Sequence, residues 1–194
     1  IYSVAGFIDE AGHIAVRASQ KVFQRPRRLG VGVGFEARPV RPEVETWVRA
    51  LCREAGYFGA FEAEFVDAGD GRLCLVDFNP RYYGQMAFEI ARGVEQPWLA
   101  WLGAIGARRE LSVALQGASV PPATMLGPTR YAYAWMLRLL VRTQGLGGRM
   151  PSGEQRAWRA WLDVPAGTRV DAMDDADDPW PRRVDILTAW QGFL

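Results

Sequence analysis

Two apolar runs, Phe58 to Val66 and Arg72 to Phe78, flank Asp67-Ala68-Gly69-Asp70-Gly71 and end on Asn79-Pro80-Arg81. Paired runs rich in aromatic and aliphatic residues around a turn of this composition read as a β-hairpin. The Asn-Pro step ends the returning strand, because proline has no N–H to give to a ladder. Side chains alternate across a strand, so Asp77, Asn79 and Arg81 share one face at roughly 6.6 Å per two residues. Pairing through the Gly69–Gly71 turn places Glu64 beside Asp77. Any fold for this chain must therefore seat two carboxylates, an amide and a guanidinium on one surface of a sheet.

The rest of the chain supplies the context. Ile1 to Ile8 and Ile14 to Phe23 flank the turn Asp9-Glu10-Ala11-Gly12 and read as another hairpin. Gly30-Val31-Gly32-Val33-Gly34-Phe35-Glu36 has glycine at every second position, which describes a strand with one bare face. It lacks the GxGxxG spacing and no helix follows directly, so a dinucleotide loop is excluded. Pro42 can start a helix, since its missing N–H is not needed in the first turn. Val44, Trp47, Val48, Leu51 and Cys52 continue at helical spacing to Gly56. Met86 to Arg92, closed by Gly93, and Pro97 to Ala107 read as two further helices. Gly117 to Arg130 reads as a Pro-rich connector, and Gln144 to Gly153 as a glycine-rich one. Tyr131 to Arg142, Glu154 to Leu162 and Val184 to Leu194 are helix-like. The expected fold is α+β: an antiparallel β-sheet backed by helices over residues 1–110, with a mostly helical extension, residues 111–194, packed on it.

Composition narrows the function. The chain has 194 residues, 49 % of them hydrophobic and 23 % charged, which excludes a disordered, collagen-like or coiled-coil protein. Its 23 basic and 22 acidic residues leave a net charge of +1, and this balance gives no bulk attraction to nucleic acid. Lys21 is the only lysine, so almost every cation is a guanidinium. Cys52 and Cys74 form no CxxC pair, and a reducing cytoplasm is the expected compartment. The longest apolar run, Pro97 to Ala107, is about half of the roughly 20 residues that span a bilayer, so no membrane partner is expected. The sequence opens at Ile1 inside a strand-like pattern, which suggests a piece of a longer polypeptide.

Glu64, Asp77 and Asn79 are hard oxygen donors of the kind that Mg²⁺ accepts. The neighbouring Arg81 suits the phosphate that such a metal accompanies, because its planar fork binds phosphoryl oxygens in pairs. Like charges this close repel unless a cation lies between them.

The run Gly59-Ala60-Phe61-Glu62-Ala63-Glu64-Phe65-Val66, followed after the turn by Leu75-Val76-Asp77-Phe78-Asn79-Pro80-Arg81, resembles the metal-binding signature of ATP-grasp enzymes. That signature has an acid on one strand and acid-x-Asn-x-Arg on the next. A strand ending near Arg17 to Lys21, the basic Arg25 to Gly30 stretch and a helix before the first acid agree with it, over about residues 1–110. The resemblance implies the C-terminal lobe of an ATP-dependent carboxylate–amine (or carboxylate–thiol) ligase, which activates its substrate as an acyl phosphate. It implies ATP and Mg (or Mn) as cofactors, with Glu64, Asp77 and Asn79 on the metal. Arg81 would be the catalytic contact to the transferred phosphoryl group, and Lys21 a further phosphate contact. Small carboxylate and amine substrates and the N-terminal lobes of the same polypeptide are the implied partners, and a homodimer is compatible with it. At position 77 the family more often has Glu; Asp is one methylene shorter, so either one metal binds where Glu would bridge two or the local strand sits closer.

Other motifs carry less. Asp174-Asp175-Ala176-Asp177-Asp178 formally contains DDxxD, but Pro179 and Pro181 break the helix that such chemistry needs, leaving an acidic turn. His13, the only histidine, follows a turn glycine and is expected to be exposed, which disfavours a His-based triad. Glu62 shares a face with Glu64 and is expected to pair with a nearby arginine. Tyr82 and Tyr83 are placed equally well to line a pocket or to pack. The tryptophans at 98, 101, 135, 158, 161 and 190 are expected to pack the core. Arg25, Arg27 and Arg28 form a solvated charge run. Three classes of function remain: an ATP-grasp ligase, a non-catalytic relative that binds nucleotide or a partner, and an α+β interaction domain with a coincidental acidic hairpin.

Overall fold

A computed structural model describes residues 1–25, 30–69, 71–119, 128–165, 167–173 and 177–191. The expected hairpins form. β1 (Tyr2–Ile8) pairs antiparallel with β2 (Ile14–Arg25), and β4 (Gly59–Asp67) with β5 (Leu73–Asn79). β1 also pairs with β4, and β3 (Val31–Arg38) with β2. Two three-residue strands, β6 (Arg130–Ala132) and β7 (Arg169–Asp171), extend the sheet, giving the order β5-β4-β1-β2-β3-β6-β7. The sheet is mixed rather than wholly antiparallel, because β7 runs parallel to β6. That pairing needs a long crossover, which the helical segment between the two strands supplies.

Strand β1 is buried on both faces, so its residues hold two separate cores together. On one face Val4, Val16, Phe61, Ala63 and Phe65 pack against Val44, Val48 and Cys52 of α1 (Pro42–Ala55). Pro42 opens α1, Glu43 and Glu45 complement the positive end of its dipole, and Gly56 closes it at φ 61°, a left-handed conformation that glycine adopts freely. Tyr2 ties this helix to the sheet: its hydroxyl donates to the Pro39 carbonyl (2.9 Å) and accepts from the Arg41 N–H (3.0 Å).

On the opposite face Phe7, Ala15 and Ala60 pack under α3 (Gln96–Ala104) and α4 (Arg108–Ser119) through Leu99, Leu102, Leu111 and Leu115. Helix α4 occupies the beginning of the expected connector. Further along, α5 (Ala134–Leu146) and α6 (Ser152–Leu162) bury Leu137, Val141 and Leu162 around Phe23 and Val33. The expected helix at 131–142 begins three residues late, since Tyr131 and Ala132 are taken into β6. The bare face of β3 is used: at Gly32 a Cβ would collide with the Phe35 ring, and Gly34 faces Trp161.

Not every tryptophan joins a core. Trp158 and Trp161 pack against the α5–α6 core, whereas Trp98 and Trp101 stack on one another at 4.8 Å, each about half exposed. The last helix, α7 (Trp180–Gln191), matches the amphipathic C-terminal segment. The acidic turn lies partly outside the described residues, as do Arg27, Arg28, Asp70 and residues 120–127. Among the described residues no helix is long and apolar enough to cross a membrane.

Candidate active site

The β4–β5 turn is closed by its own chemistry. Asp67 Oδ1 accepts the N–H groups of Gly69 (2.8 Å) and Gly71 (3.2 Å), an arrangement in which an aspartate side chain stands in for backbone. From that turn the ladder runs to Glu64↔Asp77 and Glu62↔Asn79, so the two carboxylates expected to be neighbours are cross-strand partners. Between Phe65↔Leu75 and Glu64↔Asp77 the strand β5 carries one extra residue, Val76. This bulge lets Leu75 join the face of Phe65 while Asp77, two residues on, joins the opposite face with Glu64.

Lys21 reaches the same patch from β2. Its Nζ lies 2.5 Å from Glu64 Oε1, with both side chains largely buried. Along β5 a chain of hydrogen bonds links the other three residues. Asn79 Nδ2 donates to Asp77 Oδ2 (2.9 Å), and Arg81 Nη2 donates to Asn79 Oδ1 (3.0 Å). The structure therefore brings together Lys21, Glu64, Asp77, Asn79 and Arg81, with Asp77 and Arg81 on the solvent side.

Beneath them lies a residue whose role differs from the expectation. Glu62 is buried and pairs with no arginine among the described residues. Its Oε1 accepts from the Ser3 hydroxyl (2.8 Å) and from Gln85 Nε2, and its Oε2 from Asn79 Nδ2 (3.5 Å). Burial pushes the Glu62 carboxyl above the ordinary carboxylate range, against the donors of Gln85 and Ser3, and the charge of Glu64 adds to the rise. Ser3 and Gln85 went unnoticed in the sequence, because each is brought to Glu62 by strand pairing or by the loop after Pro80. The alternation Glu62-Ala63-Glu64 was the one available signal.

A second buried polar group adjoins this floor. Helix α2 (Met86–Ile90) carries Glu89, which ion-pairs with Arg92 at 2.7 Å. Gln96 Nε2 donates to the hydroxyl of the buried Tyr83, so Tyr83 belongs to the interior while Tyr82 is exposed. Burial raises Glu89 to about 7, although Arg92 and Tyr83 oppose the shift. His13 is exposed and contacts Asp9 Oδ2 at 2.8 Å, outside this site. Both cysteines are free thiols.

The residues present suit a divalent cation in kind: two opposed carboxylates and an amide offer hard oxygens on one surface. Among the described residues no three His, Cys, Asp or Glu side chains converge as a metal cage. A cation here would thus rely on Asn79 and on oxygens brought by a ligand.

No family model matches the chain, and no curated protein does. Several solved structures align with part of the chain. The biotin carboxylase domain of a thermophilic 2-oxoglutarate carboxylase, bound to bicarbonate, aligns at 20 % identity and a TM-score of 0.40, covering 49 % of this chain and 23 % of that one. The biotin carboxylase subunit of pyruvate carboxylase aligns at 17 % identity and a TM-score of 0.40, covering 63 % and 26 %. The Campylobacter jejuni biotin carboxylase–β-γ-ATP complex gives 15 % identity and a TM-score of 0.39, also covering 63 % and 26 %. The chain thus spans about a quarter of the length of the structures it matches.

Proposed function

We propose that this chain supplies the metal- and phosphate-binding half of an ATP-dependent ligase that joins a carboxylate to an amine or a thiol. N-terminal lobes of the same polypeptide would complete the nucleotide clamp. In this reading residues 1–110 carry the site and residues 111–194 are an extension packed on that lobe. One observation carries it: the cross-strand register that sets Glu64 opposite Asp77, with Asn79, Arg81 and Lys21 reaching the same patch.

Glu64, Asp77 and Asn79 are the residues that would hold Mg²⁺, and its charge, when bound, would offset that of the β- and γ-phosphates. Arg81 sits at the solvent edge, where its fork can leave Asn79 for the oxygens of a transferred phosphoryl group. That exchange would also release the Asn79 carbonyl oxygen for ligation. Lys21 pairs with Glu64 and adds a cation near the phosphates. Glu62 holds the amide N–H of Asn79 from below. Together these residues position and neutralise charge, which is most of what phosphoryl transfer asks of a protein. The substrate carboxylate would attack the γ-phosphorus and release ADP; the amine would then attack the acyl phosphate and release inorganic phosphate.

Magnesium-dependent ATP hydrolysis by the polypeptide with its upstream lobes tests the reading. Asp77→Ala and Asn79→Ala are expected to lower the rate about 10²-fold or more; unchanged rates would contradict it. The chain by itself is expected to bind ATP weakly and turn nothing over, and a submillimolar affinity by calorimetry would count against that. A second reading, a non-catalytic module that binds nucleotide or a partner, draws support from one feature. The site residues already saturate one another, Lys21 on Glu64 and Asn79 on Asp77. Nucleotide binding without hydrolysis by the longer polypeptide would favour it.

A further inference from the structure

We infer that the chain has a second ligand site, a cavity that takes a small organic carboxylate with an apolar body. The cavity has a volume of about 430 Å³, within the range of roughly 300–1,000 Å³ typical of small-molecule sites. It opens where β3 ends: Ala18↔Arg38 is the last β2–β3 pair, so residues 14–17 of β2 have lost that neighbour. Ile14, Val16 and Val40 are among its apolar lining residues, and Arg17, Arg38, Arg92 and Glu45 are its charged ones. Arg17 precedes Lys21 by four residues, about 13 Å along the strand, and none of the proposed metal or phosphate ligands lines the cavity. The inference does not rest on the ligase reading.

The charges on this wall are unbalanced. Arg17 is partly buried, and its hydrogen bonds among the described residues go to the carbonyl oxygens of Arg92 (2.9 Å), Val16 (2.8 Å) and Ala118 (3.0 Å). None goes to a carboxylate. A guanidinium has five N–H donors, so Arg17 retains two. Burial, and next the charge of Arg92, pull the Arg17 pKa down, with Glu89 opposing from beyond ion-pair distance. Arg92 gives three N–H groups to the Phe88 and Ala18 carbonyls and to Glu89, stacks on the Phe88 ring at 3.9 Å, and likewise retains two. The other nearby carboxylates are engaged, Glu36 by Arg38 and Glu45 by Arg49. Two adjacent, desolvated cations thus share one carboxylate, and the low dielectric makes that shortfall expensive. A carboxylate entering the cavity would offset that shortfall, and a guanidinium's planar fork favours a carboxylate partner. The aliphatic walls would accept an apolar body and give nothing to a hydrated inorganic ion.

Calorimetric titration of the chain with phenylacetate and with hexanoate, and with the uncharged 2-phenylethanol, tests the site. Saturable binding of at least one carboxylate is expected, at least tenfold tighter than the alcohol. Arg17→Met should weaken it at least tenfold. Thr129→Phe, which crowds the cavity wall and leaves both guanidiniums in place, should do the same, and it serves if the Arg17 variant does not fold. No saturable binding of either acid, equal affinity for the alcohol, or affinity unchanged in folded Thr129→Phe would overturn the assignment.

Discussion

The two faces of β4 are built from alternate residues of one strand and behave oppositely. Phe61, Ala63 and Phe65 face α1 in a wholly apolar core, whereas Glu62 and Glu64 face the other way into a patch of charges and amides. The first face is held by area removed from water and the second by satisfied hydrogen bonds. A strand can carry both because its period of two separates them completely. The contrast also shows where tolerance lies. The apolar face fails by leaving a void, the polar face by leaving a donor or a charge unpaired.

Four substitutions probe that contrast, from the largest expected effect to the smallest. Phe61→Ala removes a fully buried ring stacked on Phe78 at 5.8 Å, and should lower the unfolding free energy by about 3–5 kcal/mol in urea titration. Glu62→Ala strands the buried Ser3 and Gln85 donors, and should lower stability by about 1–3 kcal/mol. A smaller loss than from Phe61→Ala is the expected order, and the reverse would break the comparison.

Glu89→Gln sharpens the polar side through pH. The Glu89 carboxyl is raised in the folded protein from 4.5 to about 7, so folding favours its protonated form. That contribution is fully present below about pH 4.5 and is lost as pH climbs through 7. Glutamine does not titrate, so thermal melts of the variant should gain on the wild type between those values; a constant difference would contradict the assignment. Asp77→Ala, on the solvent side of the same patch, should change stability by no more than about 0.5 kcal/mol. Its consequence is expected in nucleotide chemistry alone.

Much of this arrangement was legible in the residues. Turn chemistry at Asp67 to Gly71 fixed the hairpin, and alternation then placed Glu64 beside Asp77. Pro42 and Gly56 bounded α1 because each acts through its own backbone geometry. What escaped depends on partners distant in the chain. Glu62 looks like a surface acid until Ser3, 59 positions away, and Gln85, 23 positions away, close around it. The bulge at Val76 has no composition signal, since it reconciles an apolar Leu75 with a polar Asp77 on opposite faces. Helix α4 was hidden by Gly117 in its last turn and by the prolines that follow. β6 and β7 are three residues each, too short for a periodicity. Trp98 and Trp101 have helical spacing but stack on one another at the surface, so spacing alone did not reveal their burial.

The central claim is that Glu64, Asp77 and Asn79 form a cation site beside a phosphate. Crystals of the chain soaked with Mn²⁺ and ADP would test it most directly through anomalous scattering at the manganese edge. The account predicts a peak between the Glu64 and Asp77 carboxylates that disappears in Asp77→Ala. A wild-type map with no peak there, or with manganese bound only elsewhere, would contradict it.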